Sequence, residues 1–500
     1  MSFMDAMQSV LNDKKTLTTN GAVAYKTSGK KLLDFNFAVS AMRNLSSDVI
    51  AQKFEKVFYE DRLTAIKYLF YVSDVREGLG ERKVFRACFD WLAKEQPEIA
   101  NAVMALIPEY SRWDNLSRMI MNDQVADVVA DIIVNQLTQD LENMKAEKPI
   151  SLCAKWMQSE NASSPETKAI AKKIRQSLKI TPRQYRKTLS ALRAYLDVVE
   201  VKMSKKEWGA IDYEKVPSRA NLIYNGAFLK NDEERRRSYL EYLSKGEVKI
   251  NAAVLQPHEI AYKYRCQYSR TDETLEALWK ALPNITVENT LVIRDGSGSM
   301  TWGRCGSNGC TPLDVATALA IYMSERNSGE WKDKFITFSS NPKIVNLKNC
   351  KTLREKIKLS LNESDCSNTN IYKTMRLILD TAVQNKMSQE DMPRTIVICS
   401  DMQFDGRGHN FNKSLFDSIS DEYKAHGYML PKICFWNLNG VLNDTVPMQQ
   451  NDLGLILCSG FSVQILKMFM SGKTDPYEVL LEQLNSERYA PVEKAYNSLK

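Results

Sequence analysis

The sequence predicts two architectures in series: a helical array, then a doubly wound α/β domain. Three observations predict it. Apolar residues recur at helical spacing from about residue 45 to 280, with almost no strand signal. Near residue 287 short, strongly apolar runs begin to alternate with helical stretches, the pattern of a parallel sheet covered on both faces. Between them, residues 283–289 contain Pro283 and Asn284 but no long flexible linker. The expected division is a segment 1–44, a helical module 45–283 and an α/β domain 284–500.

Each element follows from its residues. At the start, Phe3, Met4, Met7, Val10 and Leu11 lie at helical spacing. Asp5 and Asn12 interrupt them, so an amphipathic helix is expected rather than a signal peptide. Residues 14–40 read as loop, with turn signals at Asn20-Gly21 and Ser28-Gly29. Ile50, Phe54, Val57 and Phe58 share a helical face, and Leu63, Ile66, Leu69 and Phe70 continue it after a break. Val84, Phe85, Cys88, Trp91 and Leu92 form the next stripe, stopped before Pro97. Further helices are expected near 99–107, 125–143, 166–178, 182–196, 231–244 and 272–282. Helices in series suggest stacked repeats of the HEAT type. In the second part strands are expected at Thr290–Ile293, Lys334–Phe338, Thr395–Cys399, Ile433–Trp436 and Leu455–Leu457. Helices are expected at 312–322, 351–360, 370–383, 411–426, 462–471 and 476–485.

Composition narrows the function. The 500 residues are 26% charged and 44% hydrophobic, which is globular. No stretch approaches the ~18 uncharged apolar residues of a membrane helix. Ten cysteines without regular spacing point to reduced thiols and a cytoplasmic protein rather than a secreted disulfide scaffold. Three histidines leave little room for multi-histidine catalysis. The net charge of +7 is unevenly placed: residues 151–250 hold 21 Lys and Arg against 12 Asp and Glu, whereas residues 281–500 hold 24 of each. The densest stretch runs through Lys172, Lys173, Arg175, Lys179, Arg183, Arg186, Lys187 and Arg193. Such an excess either contacts polyanions, usually nucleic acid, or is a solvated helical face. Arg235, Arg236 and Arg237 follow Asp232, Glu233 and Glu234, so internal pairing is their expected role.

The chemistry of the second part sits at its strand ends. The strand through Leu291 to Arg294 ends in Asp295-Gly-Ser297-Gly-Ser299. A carboxylate followed by hydroxyls at alternate positions can turn three oxygens toward one point, and the glycines permit the turn. Ligands of doubly wound sheets lie beyond the carboxyl ends of the strands. Oxygen-only donors suit a hard divalent cation, Mg²⁺ first, with Mn²⁺ or Ca²⁺ as alternatives. Thr369 precedes a helix, and the strand Thr395–Cys399 runs into Ser400-Asp401. Cys305 and Cys310 could be a weak zinc pair or two free thiols.

Asp295, Ser297, Ser299, Thr369 and Asp401 together resemble the metal-ion-dependent adhesion site of von Willebrand factor A domains. That resemblance implies a metal whose open position takes a carboxylate from a protein partner. Arg294 departs from the pattern, where an apolar residue is usual; it could answer Asp295 or point into the ring. The first part resembles the TROVE module of Ro-type RNA-binding proteins, and more closely a sister family of unassigned function. The residues are Tyr68 to Asp74, Arg76, Gly78, Gly80, Glu81 and Arg82, then Trp91-Leu92 and Ile107 to Asp114. Asn20-Gly21, Lys155-Trp156, Tyr185 to Lys187, Trp208, Val216 to Ser218, Phe435-Trp436 and Ser459 to Phe461 extend it over nearly the whole chain.

The resemblance implies an N-terminal HEAT-like helical-repeat ring closed by a Rossmann-like von Willebrand factor A domain, binding structured or misfolded small RNA without catalysis. Lys172, Lys173, Arg175, Arg183, Arg186, Lys187 and Arg193 are the expected phosphate contacts. Asp74, Arg76, Glu81 and Arg82 are expected to be ion pairs between helices, and Trp91, Trp113 and Trp156 to be core. One alternative is a metal-dependent protein-interaction or assembly module without RNA, such as a viral structural component. A metal nuclease or phosphatase is disfavoured, because hydroxyl ligands lower the site's anionic charge and no histidine base lies in the motif.

Overall fold

In the computed structural model of the chain, the described residues are 15–17, 23–266, 272–303, 305, 309–338, 342–363, 370–404, 415–439, 455–469, 473 and 475–499. The expected N-terminal helix and Thr369 lie outside them. The chain divides into two compact units, each built from two segments. The first comprises Met1–Ser46 and Leu255–Gln483, and the second Ser47–Val254 and Leu484–Lys500. The expected boundaries at 44/45 and 283/284 therefore do not coincide with the units. Residues 255–283 join the sheet, and the last seventeen residues join the helices.

The first unit is built on a six-stranded sheet flanked by helices. Its strands are β3 (Thr290–Asp295), β4 (Lys334–Phe338), β5 (Lys343–Asn346), β6 (Thr395–Ser400), β7 (Lys432–Asn437) and β8 (Leu455–Ser459). Their order is β5-β4-β3-β6-β7-β8, parallel except for β5 at the edge. All six residues of β3 are buried, as befits a central parallel strand covered on both faces. β5 was not expected: it is four residues long, and only Val345 of it is buried. An antiparallel edge strand carries too short an alternation to stand out in sequence.

The helix Pro312–Glu325 is buried from Pro312 to Ser324. Pro at its first turn and the reciprocal Thr311–Asp314 capping box set where it begins. The helix Pro257–Cys266 packs against it. This is why residues 255–283 belong to the sheet unit: a helix that flanks a sheet has the same period as a helix of an array.

The region 14–40 is more ordered than a loop. Lys15–Leu17 (β1) pairs antiparallel with Val23–Tyr25 (β2), and a helix spans Lys31–Ala38. That helix buries Leu32, Leu33, Phe35 and Phe37 against the β8 side of the sheet. Asn437 Nδ2 donates to Phe37 O at 2.8 Å, and the Ser40 amide donates to Ser459 Oγ at 3.1 Å.

The second unit is helical, with no strand among its described residues. Helices Ser47–Glu60, Arg62–Ser73 and Arg82–Glu95 pack on one another. Trp91 sits edge-on to Phe54, Phe58 and Tyr59, with ring centres 5.2–6.3 Å apart. Gly78 is required: a Cβ there would collide with the carbonyl oxygen of Tyr71. Gly80 has φ +67°, the left-handed region that glycine tolerates. Asp74, buried just before this turn, accepts from the Arg76 amide at 2.9 Å and pairs with Arg488 Nε at 2.9 Å. Tyr489 stacks on Tyr110 with ring centres 5.7 Å apart, and Lys67 pairs with Glu493. Within the Tyr68–Arg82 motif, Asp74 thus ties the C-terminal segment to the first helices, while Arg76 pairs with Glu109 and Arg82 with Asp114. Arg236 is fully buried among the rings of Tyr213, Phe228 and Tyr239. Arg235 and Arg237 pair with Asp232 and Glu233.

Candidate functional site

In the sheet unit, the strand order reverses between β3 and β6. The chain leaves β3 toward β4 on one side, then crosses back to β6 on the other. A crevice forms beyond the carboxyl ends of two such strands, the general ligand position of open α/β sheets. Asp295 ends β3, and Asp401 directly follows β6, so both carboxylates stand at this switch point. Arg294 lies opposite Cys399 in the parallel register, which sets Asp295 beside Ser400.

The local bonds are specific. The Ser297 amide donates to Asp295 Oδ1 at 2.8 Å, and the Ser400 hydroxyl donates to Asp295 Oδ2 at 2.5 Å. The hydroxyls of Ser297 and Ser299 lie 3.1 Å apart. The Gln403 amide donates to Asp401 Oδ1 at 3.3 Å, and the nearby Ser299 hydroxyl favours the ionised form of Asp401. Met402 has φ +64°, a strained conformation for a non-glycine residue, and its amide donates to Ser400 Oγ at 3.0 Å.

Burial pushes the Asp295 carboxyl up to about 7, and the charge of Asp401 adds to the rise. Hydrogen bonds from Ser400 and Ser297 oppose it. Burial also raises Asp401. Two carboxylates held together out of water strain each other's ionised forms, and a cation between them would relieve that. Among the described residues no three His, Cys, Asp or Glu side chains converge as a metal cluster. Any cation here would therefore draw on hydroxyls as well, which is the hard-donor set read from the sequence. Asp295, Ser297, Ser299 and Asp401 are brought together, and Thr369 lies outside the described residues. Ser400 was not assigned a role in sequence. Its signal was its place at the end of β6, one strand from Asp295.

Arg294 does not reach toward the motif's oxygens. Side chains alternate along a strand, so it turns the other way, donating to Thr317 Oγ1 at 3.2 Å with its guanidinium 5.7 Å from the Phe335 ring. Cys305 and Cys310 face each other across an isolated antiparallel bridge, Cys305 N donating to Cys310 O at 2.7 Å. Both are buried and neither forms a disulfide; the Cys305 thiol donates to Leu438 O at 3.7 Å.

In the helical unit the seven expected phosphate contacts separate into two kinds. Lys172, Arg183, Arg186 and Lys187 are exposed. Lys173 donates to Ile120 O at 3.3 Å and pairs with Asp123 at 3.2 Å. Arg175 pairs with Glu160 at 2.8 Å and donates to Ile180 O. Arg193 donates to the carbonyls of Ala154 and Met157, both at 2.8 Å. Arg175 and Arg193 are thus committed to holding the helices together. A residue count cannot distinguish such an arginine from a free one. Trp113 is buried, and Trp156 lies under the Arg112 guanidinium at 4.1 Å.

Two domain families account for most of the chain. Residues 18–110 and 157–288 match a Domain of unknown function (DUF2828), and residues 289–498 match a Domain of unknown function (DUF7788). Their junction at 288/289 falls close to the change of pattern in the sequence. The chain belongs to the family of Uncharacterized protein L728 of Acanthamoeba polyphaga mimivirus, to which it is 30% identical over 517 residues, covering 95% of this chain and 88% of that protein. The Deinococcus radiodurans RO (RSR) protein structure aligns with 89% of this chain and 92% of its own at 14% identity. Its TM-score against this chain is 0.36.

Proposed function

We propose that the protein is a non-enzymatic, cytoplasmic RNA-binding scaffold of Ro type, acting on structured or misfolded small RNA. The observation that carries this reading is the set of exposed cations Lys172, Arg183, Arg186 and Lys187 on the helices Pro165–Ser177 and Pro182–Tyr195. Arg183, Arg186 and Lys187 share a helix face at i, i+3 and i+4. Unlike a mixed solubility surface, this face spaces cations for a phosphate backbone. The TROVE-like motifs support the same reading, and the HEAT-like ring and von Willebrand factor A domain belong to it.

The reading includes one hard divalent cation, Mg²⁺ first, at Asp295, Ser297, Ser299 and Asp401, with Thr369 as the fifth donor. Bound there, the cation would supply an open coordination position. No helix among the described residues is long and apolar enough to cross a membrane.

A second reading, a metal-dependent protein-interaction module, is favoured by Trp302. This residue follows Ser299 by three positions and is 77% exposed. An exposed tryptophan beside a cation that can take a carboxylate has the make-up of a protein-binding hot spot.

The deciding experiment measures binding of a structured small RNA by fluorescence anisotropy from 50 to 300 mM salt. A steep linear fall of log K with log salt is expected. No measurable affinity at 50 mM would reject the RNA reading in favour of the interaction module.

A further inference from the structure

In the helical unit, a pocket of about 180 Å³ opens where three stretches of chain meet. They are the helix Cys153–Trp156 with the residue before it, the entry to the helix Val199–Lys205, and residues 211–217, which lead into the helix Ser218–Asn231. Lys155 and Val216-Pro217, from two separate sequence motifs, come together here. None of the lining residues belongs to the basic stretch or to the metal motif.

The walls are aliphatic. Leu196, Val198, Val199, Ile211, Val216 and Pro217 form them, and Val199, Ile211 and Val216 are buried. The volume is below the ~300 Å³ at which sites for drug-sized ligands begin, so only a small body fits.

The polar groups of the pocket are three lysines and two aspartates. Lys202 Nζ donates to Asp197 Oδ2 at 2.8 Å and to the Ala210 carbonyl at 2.7 Å. Asp212 pairs with Lys215 at 3.1 Å and accepts from the Glu214 amide at 3.2 Å. Lys155 is left over. Among the described residues no hydrogen bond engages its ammonium. Glu200, which is not part of the walls, stands 4.0 Å from it, and the Trp156 ring centre 5.9 Å. An ammonium carries three donors and no acceptor. The aspartate oxygens are already answered, so what the pocket still offers is a cationic donor beside an aliphatic cavity. That suits a small ligand with one anionic acceptor and an apolar body. A cation, or a polar body such as a sugar, does not suit it.

We propose that this pocket binds a short-chain aliphatic carboxylate, with its carboxylate on Lys155 and its alkyl chain along the walls. The head gains a charge-assisted hydrogen bond, and the chain gains by leaving water. The proposal goes beyond the RNA-binding reading and does not depend on it.

The test uses the full chain without RNA, in ligand-observed NMR titrations. The probes are acetate, butyrate, hexanoate, hexan-1-ol, hexylamine and inorganic phosphate. Affinity should rise from acetate to hexanoate by about three- to fourfold per methylene. Hexanoate should bind about tenfold or more tighter than hexan-1-ol, and hexylamine and phosphate should not compete with it. Lys155→Met keeps the aliphatic stem and removes the charge. It should cost about tenfold or more on hexanoate and leave hexan-1-ol within about twofold. Leu152, at the lip of the pocket, is 53% exposed, so Leu152→Glu is compatible with the fold. It should also weaken hexanoate, by setting a like charge beside the head. Acetate or phosphate binding as tightly as hexanoate would mark a bare surface cation and overturn the pocket. Hexanoate affinity unchanged in both variants, or no hexanoate binding up to about 10 mM, would overturn it as well. Binding of a peptide with a free C-terminal leucine, lost in Lys155→Met while hexanoate fails to bind, would assign the pocket to chain termini and overturn the proposal. Each of these outcomes leaves the RNA-binding reading where it stands.

Discussion

The Ser400 hydroxyl reaches across the two central strands to Asp295 Oδ2 at 2.5 Å, joining the end of β6 to the end of β3. With Ser297 holding the other oxygen, Asp295 is oriented before any ligand arrives. Asp401 lies one residue beyond Ser400, so the same turn delivers the second carboxylate.

The first prediction follows from their electrostatics. Burial and Asp401 raise the folded-state value of Asp295 from 3.8 to about 7. The folded protein then holds a proton between these values that the unfolded chain has released. Metal-free protein should therefore be most stable near pH 4 with respect to this group, and should lose that contribution as pH rises through 7, on the order of a few kcal/mol at most. Thermal melts of EDTA-treated protein between pH 5 and 8 check it, with Asp295→Asn flattening the dependence. Added Mg²⁺ should raise the melting temperature more at pH 8 than at pH 5.5, because the cation binds the ionised carboxylates. Equal Mg²⁺ effects at the two pH values, or none, would tell against the site.

The second prediction separates the two kinds of basic residue. Replacing Lys172, Arg183, Arg186 and Lys187 with Gln should weaken binding to many RNA sequences alike. Each lost phosphate contact should flatten the slope of log K against log salt by about 0.7–0.9. Stability should hardly change, since exposed charges contribute about 0–1 kcal/mol each. Arg193→Gln should do the reverse: two backbone carbonyls lose their donor, costing about 1–3 kcal/mol in urea unfolding, without a uniform change in salt slope.

Periodicity made the two architectures and five of the six sheet strands legible, because buried parallel strands are continuous apolar runs. β5 and the helix Lys31–Ala38 were not legible: one is a short edge, and the other packs on a strand more than 400 residues away. Unit membership was hidden for the same reason, since what Pro257–Cys266 or Arg488 packs against is not a local property. At the Asp295 motif, spacing brought Asp295, Ser297, Ser299 and Asp401 to one strand edge, while the Ser400 bond needed the register of β3 against β6. In the basic stretch, charge was legible but commitment was not. Arg175 and Arg193 differ from Arg183 only in having Glu160 or backbone carbonyls within reach.

The third prediction concerns Arg488. It pairs with Asp74, whose side chain is fully buried, and with Glu109. Arg488→Ala leaves the Asp74 carboxylate without its counter-charge, which should destabilise the helical unit by about 3–5 kcal/mol. The double variant Asp74→Asn, Arg488→Ala should recover part of that loss, because the residual buried charge is gone. A single variant as stable as the wild type in chemical denaturation would show that the pair is not needed.

The last prediction tests whether the two candidate sites act separately. Asp295 belongs to the sheet unit, and Lys172, Arg183, Arg186 and Lys187 belong to the helical unit. If phosphate contact resides in the helical unit alone, Asp295→Asn should abolish the Mg²⁺-dependent rise in melting temperature yet leave RNA affinity within about twofold. It should also leave the salt slope intact, since that slope counts phosphates neutralised and not metal bound. The four-residue Gln variant should give the mirror result, with the Mg²⁺ response kept and the RNA slope reduced. Loss of RNA binding in Asp295→Asn, with the helical cations intact and the protein folded by circular dichroism, would instead place the RNA at the carboxyl edge of the sheet.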